Sequence, residues 1–273
     1  SNGQVGNSGG TQYTWCTRFG VSSSNLAGGG STNGSHIGYR EVTTLIGQGG
    51  TNGKTVSRFT STADFHDPQA GFPGGPEVSF DHRRGALKSQ TVYDATGKKV
   101  TETANTWKYA PDNKTIVTGY VAAYQRKHPA NTGPGWETLV YRPYDVLSEW
   151  QFLSQSKSRQ YDENGTDFIE TITHYDYDNS AHAQLTKSTT FDSHGREFIT
   201  RMRYPLDFTG GNGPYAKAVN KLANAKFQHA AVIEQTISQR WPGQQEEVVQ
   251  SYLTLYKEFT PDNPLPEKLL FLE

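Results

Sequence analysis

The sequence has little cysteine, no long apolar run and almost no net charge. Its one cysteine, Cys16, excludes an internal disulfide framework and a zinc site built from several cysteines. No run of about 18 apolar residues occurs, so we expect no membrane-spanning helix. The 26 basic and 27 acidic residues leave a net charge of −1, which gives no cationic footprint for nucleic acid. We therefore expect partners other than nucleic acid and no membrane span.

Helix-forming residues are also scarce. The chain has one Met and few runs of Ala and Leu, whereas Gly contributes 28 residues, Tyr 15 and Phe 13. This composition favours pleated strands and tight turns. We predict a mainly β fold, namely an extended or curled antiparallel sheet of stacked β-hairpins with one short helix. The helix is predicted over 217–227, where Val219, Leu222, Ala223 and Phe227 follow helical spacing.

Three regions follow from composition. Residues 1–35 are a Gly/Ser-rich N-terminal segment with one candidate strand over 13–19, and residues 36–259 are a β-hairpin repeat-like domain. Residues 260–273 are predicted to be a Pro-rich C-terminal tail that leaves the domain in an extended form. Within the middle region, one hairpin is predicted over 39–60 and another over 232–256, the latter turning at 241–243.

An internal repeat organises the middle region. Three segments contain an aromatic residue followed by Asp and, three residues after the Asp, by Gly. The aromatic residue is predicted to end a strand, Asp to accept backbone N–H bonds in the turn, and Gly to adopt a positive φ before the return strand. These structural turns are Tyr93/Asp94/Gly97, Tyr161/Asp162/Gly165 and Phe191/Asp192/Gly195.

The Tyr-Asp-x-x-Gly pattern resembles the YD repeats of RHS (rearrangement hot spot) proteins. Five further segments follow an order similar to the region at or upstream of the repeat array in Bacteroidetes-type RHS-like surface proteins: 38–42, 84–87, 144–150, 204–208 and 232–235. The resemblance implies a sheet that wraps as a shell, in some members around a C-terminal toxin or effector domain. It also implies further repeats or domains of a larger chain as partners, and a secreted or cell-surface location.

Candidate metal ligands occur in two places. Asp162, Asn164 and Asp167 surround a Gly bend as at the start of a calcium loop, but the later bidentate Glu is missing and an Asp/Gly turn explains the same residues. His174 and His182 flank two Asp residues, yet they share a strand face only if the strand continues through 179–180, where a turn is predicted. We therefore predict no metal site and no cofactor.

Catalytic patterns are weak. The string Gly-x-Ser-x-Gly occurs once, over 6–10, without the strand and helix that a nucleophile elbow needs. Segment 49–55 ends in Gly-Lys-Thr, but Gln48 replaces the first glycine of a phosphate-binding loop. Carboxylates for glycoside hydrolysis are available, although their separation is unknown from sequence: Glu77, Asp81, Glu137 and Glu149. The chain is predicted not to be an enzyme.

The sequence is consistent with two functions. The first is a non-catalytic structural shell or stalk segment of a secreted or cell-surface RHS-like protein that presents or encloses other domains. The alternative is a carbohydrate- or protein-binding adhesin module, because flat aromatic rings pack against the apolar faces of sugars. Its candidate stacking residues, which cross-strand packing would also explain, are Trp107, Trp136, Trp150 and Trp241.

Overall fold

The structure, a computed structural model, describes residues 5–8, 11–14, 37–67, 79–126, 137–208 and 210–272. Cys16 and Trp136 lie outside these residues, as do most of the Gly/Ser-rich start and residues 68–78 of the proline-containing loop. β1 (Val5–Ser8) and β2 (Thr11–Thr14) form a two-stranded antiparallel hairpin. Of the strand predicted over 13–19, residues 13 and 14 belong to β2 and the others are not among the described residues.

The remaining described strands form one sheet. Its eleven members are β3 (Glu41–Leu45), β4 (Lys54–Phe59), β5 (Leu87–Tyr93), β6 (Lys99–Arg126), β7 (Glu137–Tyr161), β8 (Phe168–Asp176), β9 (Lys187–Phe191), β10 (Glu197–Arg203), β11 (Glu234–Arg240), β12 (Glu247–Thr260) and β13 (Asn263–Leu272). Each strand pairs antiparallel with its neighbours in sequence, so the sheet is an open meander whose edges are β3 and β13. The predicted fold class is confirmed.

The two ends of the sheet differ. Because consecutive strands are antiparallel, alternate connections lie at the same end. One end carries five short turns, which we call the turn row, and each turn has a glycine at positive φ: Gly53, Gly97, Gly165, Gly195 and Gly243. The other end, the insertion end, carries the long connections 60–86, 177–186 and 204–233. Binding residues concentrate on long loops held by a rigid scaffold, so we expect a functional site at the insertion end.

The α-helix α1 (Pro214–Asn224) lies in the last of these connections. Pro214 opens it at a position where a backbone N–H is not needed, and its buried face contributes Val219 and Leu222, which pack with Ile233. The prediction that Phe227 belongs to this helix is wrong. The helix ends before it, and Phe227 has a φ of 52° and is 74% exposed.

The C-terminal segment is a strand of the sheet. The predicted C-terminal tail is part of the sheet, because β13 pairs with β12 from Asn263 to Leu272. Proline is compatible with this position because β13 is an edge strand, where an N–H that points away from the sheet needs no partner. Pro264 and Pro266 therefore do not prevent the pairing.

Strands β6 and β7 extend far beyond their neighbours. β5 pairs with β6 only over 89–93 and 99–104, and β8 pairs with β7 only as far as Gln155. The outer part, residues 114–126 with 137–149, is a two-stranded ribbon that we call the arm. At its base the register skips residues 111–113, because Ala110 pairs with Trp150 and Lys114 with Glu149. Sequence patterns did not predict this arm.

Most of the sheet is a single layer. Seven hydrophobic residues are buried among the described residues, whereas twenty-six large hydrophobic residues are exposed. The main cluster of buried side chains is formed where α1 covers β12, with Phe208, Leu253 and Tyr256 at its border. Elsewhere the sheet faces keep much apolar surface in contact with solvent, which is unusual for an isolated soluble domain.

Candidate functional site

The three predicted triads lie in the turn row. Tyr93, Tyr161 and Phe191 are the last residues of β5, β7 and β9. In each turn one oxygen of the Asp carboxylate accepts two backbone N–H bonds of 2.8–3.2 Å, and the glycines have φ of 84°, 73° and 77°. The N–H of Lys98 lowers the pKa of Asp94, and that of Thr166 lowers the pKa of Asp162. These aspartates act as turn caps.

Neighbouring turns of the row touch one another. The ammonium of Lys98 donates to the carbonyl oxygen of Glu163 at 3.0 Å, which joins the β5–β6 turn to the β7–β8 turn. Gly53 lies directly against the backbone of Tyr93 and Asp94, and Gly195 lies beside Pro242. Contacts of this kind join the first three turns of the row to one another and the last two to each other.

The residues considered as calcium ligands form a turn in which the Asp162 carboxylate accepts backbone N–H groups. Oδ1 of Asp162 accepts the N–H groups of Thr166 and Asp167, so it is occupied by the turn itself. Across the part of the chain that the structure describes, no group of three His, Cys, Asp or Glu side chains converges as a metal site would require. Asp162, Asn164 and Asp167 are turn residues in this fold.

A charged and aromatic cluster forms at the insertion end, where the arm meets the sheet. Arg83 donates to both carboxylate oxygens of Glu149, one of them at 2.8 Å, and Nε2 of His82 lies 2.9 Å from Glu149 Oε1. The guanidinium of Arg83 also lies over the rings of Tyr109 and Phe80, 4.5 and 4.6 Å from their centres. We call these five residues the junction cluster.

The charged groups of the junction cluster are largely buried and pair with one another. The Glu149 side chain is only 4% exposed, and its hydrogen bonds with Arg83 lower its pKa despite burial. Burial raises the pKa of the Tyr109 hydroxyl. Both Glu149 oxygens are thus engaged, and the carboxylate ties the loop that carries His82 and Arg83 to the base of the arm.

Of the other carboxylates considered for hydrolysis, Asp81 approaches the same histidine as Glu149: its Oδ1 lies 3.9 Å from Nδ1 of His82, whereas Glu149 Oε1 lies 2.9 Å from Nε2. The Asp81 carboxylate accepts the backbone N–H of His82 at 2.8 Å, as in a short turn. Glu77 and the side chain of Glu137 are not among the described parts of the structure. Of the four candidates, the structure therefore brings Asp81 and Glu149 to the same histidine.

The base of the 60–86 loop is closed by backbone bonds. The N–H of Thr60 donates to the carbonyl of Ala86 at 2.9 Å, and the N–H of Gly85 donates to the carbonyl of Thr60 at 2.8 Å. Inside the loop, buried Arg84 donates twice to the carbonyl oxygen of Phe65, at 2.7 and 3.0 Å. The loop is thus fixed at its base and held to the arm by the junction cluster.

The His174–His182 segment separates its two histidines. β8 ends at Asp176 and a turn follows, while His174 packs edge-on against Phe191. His182 is buried; its Nδ1 accepts the N–H of Gln184 at 2.9 Å and its Nε2 lies 3.2 Å from Asp207 Oδ1. Since Nδ1 accepts a hydrogen bond, the ring proton lies on Nε2, which donates a hydrogen bond to the Asp207 carboxylate. His182 therefore fixes the two long connections to each other.

The described tryptophans do not form one platform. Trp107 donates its indole N–H to the carbonyl of Leu87 at 2.9 Å, and Trp150 stacks on Phe152 with 4.8 Å between ring centres. Trp241 lies in the turn row, 4.7 Å from the guanidinium of Arg196. Two of the three rings are thus engaged in the sheet near the junction cluster, and the third belongs to the opposite end.

Exposed aromatic residues that sequence patterns missed lie on the arm. Tyr120 and Tyr141 are each 69% exposed, and their ring centres are 6.4 Å apart. Gly119 allows the ring of Tyr144 to lie across it on the other face, because a Cβ there would overlap that ring. Only the cross-strand register of β6 and β7 brings these rings together, so spacing along the chain gave no signal for them.

Comparisons with family models, with curated proteins and with solved structures found no match to this chain. The resemblance to RHS proteins therefore rests on the sequence motifs described above. Within the described residues, no helix is long and apolar enough to cross a membrane.

Proposed function

We propose that the chain is a non-catalytic structural segment, a shell or stalk, of a secreted or cell-surface RHS-like protein that presents or encloses other domains. The observation that carries the proposal is the uninterrupted eleven-stranded meander, which has a row of five glycine-containing turns along one end, three of them Asp-x-x-Gly turns, and leaves most of its faces uncovered. A large single-layer sheet is stable when neighbouring structure covers it, as in stacked-repeat architectures. We expect that neighbouring structure to be further repeats or domains.

The polar clusters support the same proposal. The junction cluster and the His182–Asp207 contact both use their charged groups to hold loops to the sheet. Hydrogen-bonded polar networks of this kind rigidify a structure, as a structural segment requires.

The test is the state of the protein in its source cells. Intact cells are treated with an impermeant protease, and the protein is then recovered with an antibody against this chain for native mass measurement and peptide mapping. We expect cleavage from outside and a particle far larger than 30.3 kDa that contains further Tyr-Asp-x-x-Gly peptides. A protease-protected 30.3 kDa monomer would contradict the proposal.

A second function, protein or carbohydrate binding by an adhesin module, is favoured by the exposed Tyr120–Tyr141 pair. The double change Tyr120→Ala and Tyr141→Ala is compared with Tyr39→Ala, a matched control because Tyr39 is 66% exposed on another part of the chain. On a glycan and protein array, saturable binding lost only in the double variant would support this function. Equal binding by all three proteins, or none by any, would remove it.

A further inference from the structure

We propose that Asn212 is a site of spontaneous deamidation, in which the backbone nitrogen of Gly213 attacks the Asn212 side chain and converts it to aspartate or isoaspartate. An Asn-Gly pair favours this reaction because glycine has no side chain to hinder the attack. The structure describes three such pairs: Asn52–Gly53, Asn164–Gly165 and Asn212–Gly213. Two further pairs, at 2–3 and 33–34, lie outside the described residues.

The reaction consumes one water molecule and releases ammonia. The nitrogen of Gly213 loses its proton and forms a bond with Cγ of Asn212, and the side-chain amide leaves as ammonia. Water then opens the cyclic imide. Opening at Cγ gives aspartate, whereas opening at the main-chain carbonyl of residue 212 gives isoaspartate, whose main chain is one carbon longer. Both products replace a neutral side chain by a carboxylate.

The first two pairs are protected by the turns that contain them. The N–H of Gly53 donates to the carbonyl of Gly50 at 3.0 Å, and the N–H of Gly165 donates to the carbonyl of Asp162 at 3.0 Å. A backbone nitrogen held in this way has to break its hydrogen bond before it can attack. Deamidation at these turns therefore requires local opening.

The third pair is not restrained in this way. Asn212 and Gly213 are both exposed, and the N–H of Gly213 makes no hydrogen bond within the part of the chain that the structure describes. A Cβ at Gly213 would meet no atom within 4 Å, whereas one at Gly53 would overlap the backbone of Tyr93. The two residues before Asn212 are glycines with φ of 93° and 106°, so this stretch of backbone can rotate at low steric cost.

The modified residue lies beside the start of α1. Gly213 immediately precedes the helix, and its carbonyl accepts the N–H of Lys217 at 3.0 Å. The helix contributes Val219 and Leu222 to the buried cluster over β12. Aspartate is compatible with this position, since a negative charge near a helix N-terminus is favourable. Isoaspartate lengthens the main chain directly before the helix, so we expect it to loosen α1.

The test measures deamidation of the full chain during incubation in neutral buffer. Peptide mapping with electron-transfer fragmentation distinguishes aspartate from isoaspartate at each site. We expect Asn212 to react at least tenfold faster than Asn52 and Asn164, because those two react only when their turns open. The chain unfolded in urea is the reference, and there the three rates should agree within a few-fold.

Two variants separate the chemistry from its consequence. Gly213 has a φ of −71°, which alanine adopts without strain, so Gly213→Ala keeps the backbone and adds a methyl group beside the attacking nitrogen. We expect it to slow the reaction at Asn212 at least tenfold. Asn212→Asp reproduces the aspartate product and should leave hydrogen exchange in α1 unchanged, whereas the purified isoaspartate form should exchange at least threefold faster there.

Three results overturn the proposal. The first is a rate at Asn212 no higher than at Asn52 or Asn164 in the folded chain. The second is a rate at Asn212 that rises tenfold or more on unfolding, which would show that the fold protects this pair as well. The third is an unchanged rate in Gly213→Ala, which would exclude attack by the Gly213 nitrogen. Equal exchange of α1 in the isoaspartate form and the unchanged protein would overturn its effect on the helix.

Discussion

The turn row makes a quantitative prediction about two of its glycines. Gly53 and Gly97 both have positive φ, 104° and 84°, so alanine at either position adopts a left-handed backbone that costs about 1–2 kcal/mol. Alanine also restricts the unfolded chain, which returns about 0.4–1 kcal/mol. At Gly97 a Cβ meets nothing within 4 Å, so we expect Gly97→Ala to destabilise by about 1 kcal/mol.

Gly53→Ala should cost more because its Cβ has no room. The added atom would overlap the carbonyl oxygen of Tyr93 and lie 2.9 Å from the carbonyl carbon of Asp94, both of them backbone atoms of the adjacent turn. The neighbouring turn must then move. Gly53 also accepts a hydrogen bond from the N–H of Ile46 and donates one to the carbonyl of Gly50, both of 3.0 Å. With overpacking at about 1–3 kcal/mol, we expect a total of about 3 kcal/mol.

The assay is urea denaturation followed by tryptophan fluorescence, with hydrogen exchange in β4 and β5 as the local measurement, because a long meander can open in stages. Gly97→Asn is the control, since Asn tolerates the left-handed region better than Ala and should cost less. If Gly53→Ala is no more destabilising than Gly97→Ala, the close contact between adjacent turns is wrong. If Gly97→Ala costs nothing, the positive φ is wrong.

Two further predictions concern ion pairs. Glu149→Gln leaves the partly buried guanidinium of Arg83 without its anion, so we expect the free energy of unfolding to fall by about 2–3 kcal/mol. Hydrogen exchange in 61–67 and 79–84 should become faster. Unchanged exchange would show that the junction cluster does not hold the loop. Arg201 lowers the pKa of Glu246 to about 2 from an ordinary 4.5. This pair therefore stabilises the folded protein above about pH 4.5, and that stabilisation is lost as the pH falls towards 2. Because Arg201 is nearly half exposed, we expect the loss to be less than about 1 kcal/mol. Glu246→Gln should flatten the fall in unfolding free energy over that interval, and a slope equal to that of the unchanged protein would contradict the assignment.

Local chemistry determined the parts of this protein that the sequence predicts well. An aspartate that accepts neighbouring N–H groups and a glycine at positive φ form a turn within a few residues, so Asp94/Gly97 and the two equivalent pairs are readable from the chain. Strand composition and turn spacing then imply an antiparallel meander. The helix was found from its apolar spacing, although its end was misplaced at Phe227 because a left-handed residue leaves no mark in periodicity.

Tertiary structure decided what these elements touch. Arg83 and Glu149 are far apart in sequence and meet only because the 60–86 loop folds onto the base of the arm. The arm depends on the register of β6 with β7. The proline-containing C-terminal segment forms β13 because an edge strand pairs on one side only and therefore tolerates proline. Turn formation depends on neighbours in the chain, whereas these contacts depend on strand pairing between distant residues, which residue order alone does not reveal.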